Sequence, residues 1–196
     1  TGVQTCALPI LIFCKSLLVC VFAVMVIGAC SGVGVIRGII ASAPTIDDIV
    51  ATPTGFLSTV LDANGNQTAT LVASGSNRRA VTIDEIPKNL RHAFVAIEDE
   101  RFYEHNGIDV TGIIRAGVKG VASGFHFSEG ASTITQQLLK NTVFTSWTSE
   151  SSMADKFERK FQEQYLALQL EKVVDKDWIL ENYLNAINLG QNTLGV

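Results

Sequence analysis

The stretch EDERFYEHNGID, from Glu98 to Asp109, combines paired carboxylates with aromatic side chains and a histidine. It follows an apolar pattern in which Leu90, Phe94 and Ile97 recur at spacings of four and three. This spacing predicts a helix that buries one face and ends at Glu98. Similar helical patterns recur to the end of the chain, so the sequence predicts a mainly α domain. Its last helix is predicted to bury Ile179, Leu180, Tyr183, Leu184 and Ile187.

Glu98 is the first candidate for proton transfer. It ends an apolar helical turn, where partial desolvation would raise the pKa of a carboxyl group, and Asp99 would add like-charge repulsion. The alternative is that both are ordinary surface acids. His105 stands beside Gly107, and this arrangement favours a structural hydrogen bond over catalysis.

A second stretch, GASTITQQLLKN, runs from Gly130 to Asn141. It predicts a helix capped by a hydroxyl, with one polar face and with Ile134, Leu138 and Leu139 turned inward. A polar row at the start of a helix suits a sugar and diphosphate ligand, although a capped amphipathic helix with a solvated side has the same pattern. The candidate binding residues here are Ser132, Thr133, Gln136, Gln137, Lys140 and Asn141.

A third stretch, RKFQE, lies in a predicted helix from about residue 154 to 173. Arg159, Lys160 and Glu163 follow helical spacing on one face, opposite an apolar stripe that includes Phe157 and Leu168. Such a charged row is usually a solvated face. Arg159 and Lys160 are nevertheless candidate phosphate ligands.

The order and spacing of the three stretches resemble the motifs of the peptidoglycan glycosyltransferase domain found in class A penicillin-binding proteins and in monofunctional enzymes. The resemblance covers about residues 81–196, where KDWILENYLN matches a fourth motif, and it ends inside the fifth. It implies a lysozyme-like, mostly helical fold with a mobile, membrane-touching lobe near residues 117–128. The segment between Asn141 and Arg159 is longer than the family commonly shows.

By this resemblance, Glu98 is the general base and Glu163 the second catalytic glutamate, while Glu181 is structural. The implied reaction polymerises lipid II onto a growing glycan chain through β-1,4 bonds, with inversion and release of undecaprenyl pyrophosphate. Glu163 would position the pyrophosphate, directly or through a divalent cation such as Mg²⁺ or Mn²⁺, and Asp99 would be among the binding residues. Other cell-wall synthesis proteins are expected partners.

The N-terminal part predicts a membrane anchor. Between Lys15 and Arg37 the chain carries no charged residue, and a helix of this length spans about 30 Å, the thickness of a bilayer core. A lipoprotein signal ending at Cys30 is the alternative. The resemblance implies a single-pass protein of the bacterial plasma membrane, with its catalytic domain on the outer face.

The remaining organisation follows from composition. Asn64-Gly65 lies between β-rich arms and predicts a hairpin packed on the helical domain. The predicted domains are an anchor at 1–40, a linker with the hairpin at 41–80 and the catalytic domain at 81–196. The hairpin and Asn77 to Arg79 resemble class A proteins, in which a transpeptidase domain would follow. All four cysteines precede residue 31, so no disulfide framework or zinc site is predicted, and the net charge of −4 disfavours nucleic-acid binding.

Two rival functions fit the same composition. A lysozyme-like glycoside hydrolase also uses two carboxylates on a helical fold, although it has no diphosphate for Lys140, Arg159 and Lys160 to bind. A membrane-tethered scaffold with an inactive site is the other rival. The chain starts at Thr1 and reaches Val196 inside a motif, so we expect it to be a fragment, with residues 1–10 of uncertain origin.

Overall fold

The structure is a computed structural model of the chain, and it describes residues 7–46, 58–71, 79–124, 130–190 and 193–196. The chain divides into two compact units, Thr1–Ser42 and Ala43–Val196. The predicted connector, the Asn77 to Arg79 segment and the lobe near residues 117–128 lie wholly or partly outside the described residues.

The first unit is one long helix, α1 (Ala7–Ala41), which contains the uncharged run predicted to be a membrane anchor. Its apolar side chains are exposed from Leu11 to Ile36, and the stretch Leu11–Ala41 is long and apolar enough to cross a membrane. A signal sequence can have the same length and apolar composition.

The predicted hairpin is confirmed as an antiparallel pair, β1 (Ser58–Leu61) and β2 (Gln67–Leu71). Asp62 closes the loop: its side chain accepts the backbone N–H groups of Asn64 and Asn66, and Gly65 takes the positive φ that the turn requires. The expected packing on the helical domain is wrong, because the strand residues whose side chains are described are exposed.

The second unit is mainly α, as predicted. Its helices are α2 (Lys88–Glu98), α3 (Val110–Ala122), α4 (Ile134–Thr142), α5 (Met153–Leu170) and α6 (Lys176–Ala186). Short 3-10 turns cover Ile83–Glu85 and Thr145–Ser149, and a small hairpin, β3 (Asn188–Gly190) with β4 (Thr193–Leu194), follows α6.

Helices α4 and α6 form the centre of the core, together with the buried face of α5. The residues predicted to point inward from α4 are fully or almost fully buried, and so are four of the five predicted for α6, while Ile187 beyond its end is partly buried. Burial of a Leu or Ile side chain stabilises the fold by about 1.5–3 kcal/mol. The confirmed core residues are Ile134, Leu138, Leu139, Ile179, Leu180, Tyr183 and Leu184.

Two predicted faces are only partly formed. In α2 Phe94 is half-buried against Tyr183, but Leu90 and Ile97 are exposed, Ile97 to 81%. In α5 Phe157 and Leu168 of the predicted apolar stripe are exposed, whereas Gln162 and Glu163 are buried with Leu166 and Leu170. The charged motif of α5 therefore faces the protein interior.

The segment before α2 is attached to α6 by side chains. Asn185 accepts the N–H of Val81 at 3.0 Å and donates to its carbonyl at 2.8 Å. Glu181 accepts the N–H of Ile83 at 2.7 Å. The structural role expected for Glu181 is confirmed by this contact.

Candidate active site

A cavity of about 120 Å³ lies where α2 ends and α4 begins. Its lining includes Glu98 and Asp99 from the first motif, and Ser132 and Thr133 from the second. The two stretches are separated by more than thirty residues in sequence, and the fold brings them to one place. This cavity is the candidate active site.

Glu98 lies at the edge of the cavity with its side chain exposed. One of its oxygens accepts a hydrogen bond from Gln137 Nε2 at 2.9 Å, and the Tyr183 hydroxyl donates to the Gln137 oxygen at 3.3 Å. Burial raises the pKa of Tyr183, and the nearby charge of Glu98 raises it further, so the proton stays on the phenolic oxygen. The desolvation expected for Glu98 is wrong, because α2 is not buried at its end.

Asp99 is buried, and its carboxylate is engaged by groups of the protein. It accepts the backbone N–H of Ile134 at 3.0 Å and contacts Nε2 of His105 at 3.0 Å. Since Gly107 N–H donates to His105 Nδ1 at 3.2 Å, the ring proton resides on Nε2 and points to Asp99. The structural hydrogen bond predicted for His105 is confirmed, and Asp99 holds the start of α4 in place.

The N-terminus of α4 is capped by Thr133, as the sequence predicted. The Thr133 hydroxyl accepts the N–H of Gln136 at 3.2 Å and donates to the Gly107 carbonyl at 2.8 Å. Gln136 Nε2 also points to that carbonyl, at 3.4 Å. With Asp99 on the Ile134 N–H and Thr133 on the Gln136 N–H, two backbone donors of this helix end are occupied from within the chain.

Glu163 is the most buried charged group of the site, with 1% of its side chain exposed. One oxygen forms a short ion pair with Arg159 Nη1, and the other accepts from Lys160 Nζ at 2.9 Å. Lys160 donates onward to Ser132 at 2.8 Å and points to the Gln136 oxygen at 3.5 Å. The third motif therefore reaches the cavity through Lys160 and Ser132.

The other two predicted cations contact residues that the sequence did not single out. Lys140 Nζ lies over the Trp147 ring, 4.5 Å from its centroid, and Arg159 Nε donates to both oxygens of Glu150 at 2.9 Å. Burial lowers the pKa of Arg159, but the contacts with Glu150 and Glu163 outweigh it, so the pKa lies above its ordinary value. No motif or spacing in the sequence predicted these contacts.

The structure thus gathers most of the predicted site residues around α4. Glu98 reaches this helix through Gln137, and Glu163 reaches it through Lys160. Asn141 lies half-buried near the C-terminal end of the same helix. That Glu98 and Glu163 are the two catalytic glutamates stays a prediction.

The expected Mg²⁺ or Mn²⁺ near Glu163 also stays a prediction, and the surrounding residues do not fit such an ion. Both carboxylate oxygens are already neutralised by a guanidinium and an ammonium group. Among the residues that the structure describes, no group of three His, Cys, Asp or Glu side chains could hold a metal. We therefore derive no step through a metal.

Comparison with known proteins identifies relatives. Residues 64–196 match a family model described as Transglycosylase. Penicillin-binding protein 1A of Clostridium perfringens (strain 13 / Type A) is 45% identical over 164 residues, which cover 82% of this chain and 23% of that protein. The protein of the same name from Clostridium acetobutylicum is 40% identical over 189 residues, covering 94% and 23%. Penicillin-binding protein 1F of Bacillus subtilis (strain 168) is 44% identical over 140 residues, covering 71% and 18%. The chain spans about a fifth of the length of these relatives.

Proposed function

The chain belongs to the transglycosylase family, and we propose that it is the glycan-polymerising part of a peptidoglycan glycosyltransferase acting in cell-wall synthesis. Its substrate would be lipid II, added to a growing glycan chain at the outer face of the bacterial plasma membrane. The observation that carries the proposal is that the first two motifs line one cavity, with Glu98 at its edge, and that Lys160 of the third motif links Ser132 in the cavity wall to Glu163.

Glu98 is the group best placed to act as general base. Its carboxylate is exposed at the cavity, and the Gln137 amide holds one oxygen, so the other is free to accept a proton in this proposal. The 4-hydroxyl of the acceptor sugar would lose its proton to Glu98 while its oxygen attacks C1 of the donor. The bond from C1 to the diphosphate oxygen breaks, the diphosphate leaves with the electron pair, and the configuration at C1 inverts.

The leaving diphosphate needs positive charge, and the cations of the site would supply it. Of the two cations paired with Glu163, Lys160 is the more accessible, because 39% of its side chain is exposed, compared with 15% for Arg159. Because Glu163 is buried and paired through both oxygens, we assign it to positioning these cations. With 1% of its side chain exposed, this carboxylate is not open to a substrate hydroxyl.

The test is incubation of labelled lipid II with the chain in detergent, comparing wild type with Glu98→Gln. We expect wild type to form polymer and the variant to form none, because the amide cannot accept the proton, while both melt at the same temperature. Gln at an exposed position removes no packing, so a shared melting temperature is a strong control.

Each rival function has a distinct outcome in this assay. Shortened glycan in place of polymer would indicate a hydrolase, and bound but unchanged lipid II would indicate a scaffold. Polymer formation by Glu98→Gln at the wild-type rate would remove Glu98 from the mechanism.

A further inference from the structure

Residues 145–150, here called the strap, connect α4 to α5 and contact two of the three cations assigned to the diphosphate. The strap comprises the 3-10 turn Thr145–Ser149 and the residue that ends it, Glu150. Trp147 covers the ammonium group of Lys140, and Glu150 accepts from Nε of Arg159 with both oxygens. The strap therefore contacts Lys140 and Arg159, and Arg159 is also paired with Glu163.

The contacts leave little of Arg159 for an added anion. Its Nε faces Glu150, its Nη1 faces Glu163, and the Arg159 and Glu150 side chains are only 15% and 14% exposed. A phosphate oxygen that binds Nε of Arg159 has to replace the carboxylate of Glu150, because both are anionic acceptors for the same N–H group.

Lys140 is held more loosely. An ammonium group over an indole ring is attracted by the ring's electron density, and the attraction is modest where the ring is accessible. Trp147 is 37% exposed, so the pair can separate without uncovering a buried apolar surface. A phosphate group would attract Lys140 more strongly than the ring does.

We propose that Trp147 and Glu150 occupy Lys140 and Arg159 in the unliganded protein, and that a prenyl diphosphate displaces the strap when it binds. This rests on the proposed function. Only molecules in which the strap is displaced can bind the ligand, so the apparent affinity falls as the fraction with the strap in place rises. A variant with a weakened strap therefore binds the ligand more tightly. If the strap only supported the fold, weakening it would make the ligand bind less tightly.

The experiment measures farnesyl diphosphate binding to the full chain in detergent micelles by calorimetry. Glu150→Gln keeps an oxygen that can accept from Arg159 but removes the charge, and we expect about fivefold tighter binding. Asp155→Asn is the matched control, since Asp155 is exposed on α5 and its change removes the same charge. Equal affinities of the two variants, or weaker binding by Glu150→Gln, would overturn the proposal.

Trp147 provides an independent test. Trp147→Ala should bind the probe about two- to fivefold more tightly, and Trp147→Phe should return affinity towards wild type because it keeps a ring. The chain has two tryptophans, so Trp178→Phe leaves Trp147 as the sole reporter. Quenching of its fluorescence by acrylamide should increase when farnesyl diphosphate is added, and unchanged quenching at saturation would contradict displacement.

The experiments distinguish an error in the strap proposal from an error in the proposed function. If wild type polymerises lipid II and Glu150→Gln binds the probe no more tightly than Asp155→Asn, the strap proposal is wrong and the function stands. If wild type neither polymerises lipid II nor binds farnesyl diphosphate, the proposed function is wrong and the strap proposal falls with it.

Discussion

Gly107→Ala is expected to destabilise the helical unit strongly, because Gly107 is constrained both by its backbone angle and by its neighbours. Its φ is +90°, in the left-handed region, which costs an L-residue about 1–2 kcal/mol. A Cβ there would lie 2.6 Å from the carbonyl carbon and oxygen of Ala167 in α5. Relieving such overlap in a packed interior costs about 1–3 kcal/mol more. The combined loss in free energy of unfolding is about 2–5 kcal/mol, or roughly 4–20 °C in melting temperature for a domain of about 150 residues.

Gly190→Ala is the matched control for this prediction. Gly190 has the same φ of +90°, but a Cβ there meets nothing within 4 Å. Gly190→Ala should therefore lower the free energy of unfolding only by the cost of the backbone conformation, about 1–2 kcal/mol. The difference between the two variants then gives the cost of the contact with Ala167. The assay is thermal unfolding in detergent followed by near-ultraviolet circular dichroism. Equal melting temperatures for the two variants would refute the argument.

Two further predictions concern single charged contacts. Lys140→Ala should weaken binding of farnesyl diphosphate. It should lower the free energy of unfolding by no more than about 1 kcal/mol, because the described contact of Lys140 is with a partly exposed ring. A large shift in melting temperature with unchanged affinity would instead assign Lys140 a structural role. The hydrogen bond from Arg101, with burial opposing it, lowers the pKa of Asp109. This contribution to stability is full above the ordinary carboxyl pKa of 3.8 and is lost as the pH falls through the lower folded value. The melting temperatures of wild type and Asp109→Asn should therefore differ at about pH 6 and converge towards about pH 3, and a gap that widens on acidification would contradict the assignment.

The sequence predicted the parts of the fold in which hydrophobic spacing and burial agree. Helices α4 and α6 have apolar residues at helical spacing, and those residues form the core. The Thr133 cap and the His105 contact were also predictable, because a hydroxyl before a helix and a histidine beside Gly107 each have a strong local preference. In these places the local chemistry and the tertiary structure favour the same conformation.

The buried face of α5 was not predictable by the same means. Hydrophobic spacing favoured burial of Phe157 and Leu168, but the structure buries Gln162 and Glu163 instead. A buried carboxylate is tolerated only with partners, and those of Glu163 include Lys160, which in turn donates to Ser132 in the segment before α4. Spacing within one helix contains no information about a partner on another helix.

The contrast between the two glutamates also argues for their different roles. Glu98 is exposed at the cavity and held through one oxygen by Gln137, whereas Glu163 is buried and ion-paired through both oxygens. A general base must exchange protons with the substrate and then with solvent, and only the exposed carboxylate can do both without breaking ion pairs. Removing the charge of Glu163 would leave Arg159 and Lys160 without their shared partner, so its loss should alter diphosphate binding and stability together. Removing the charge of Glu98 should affect the chemical step alone.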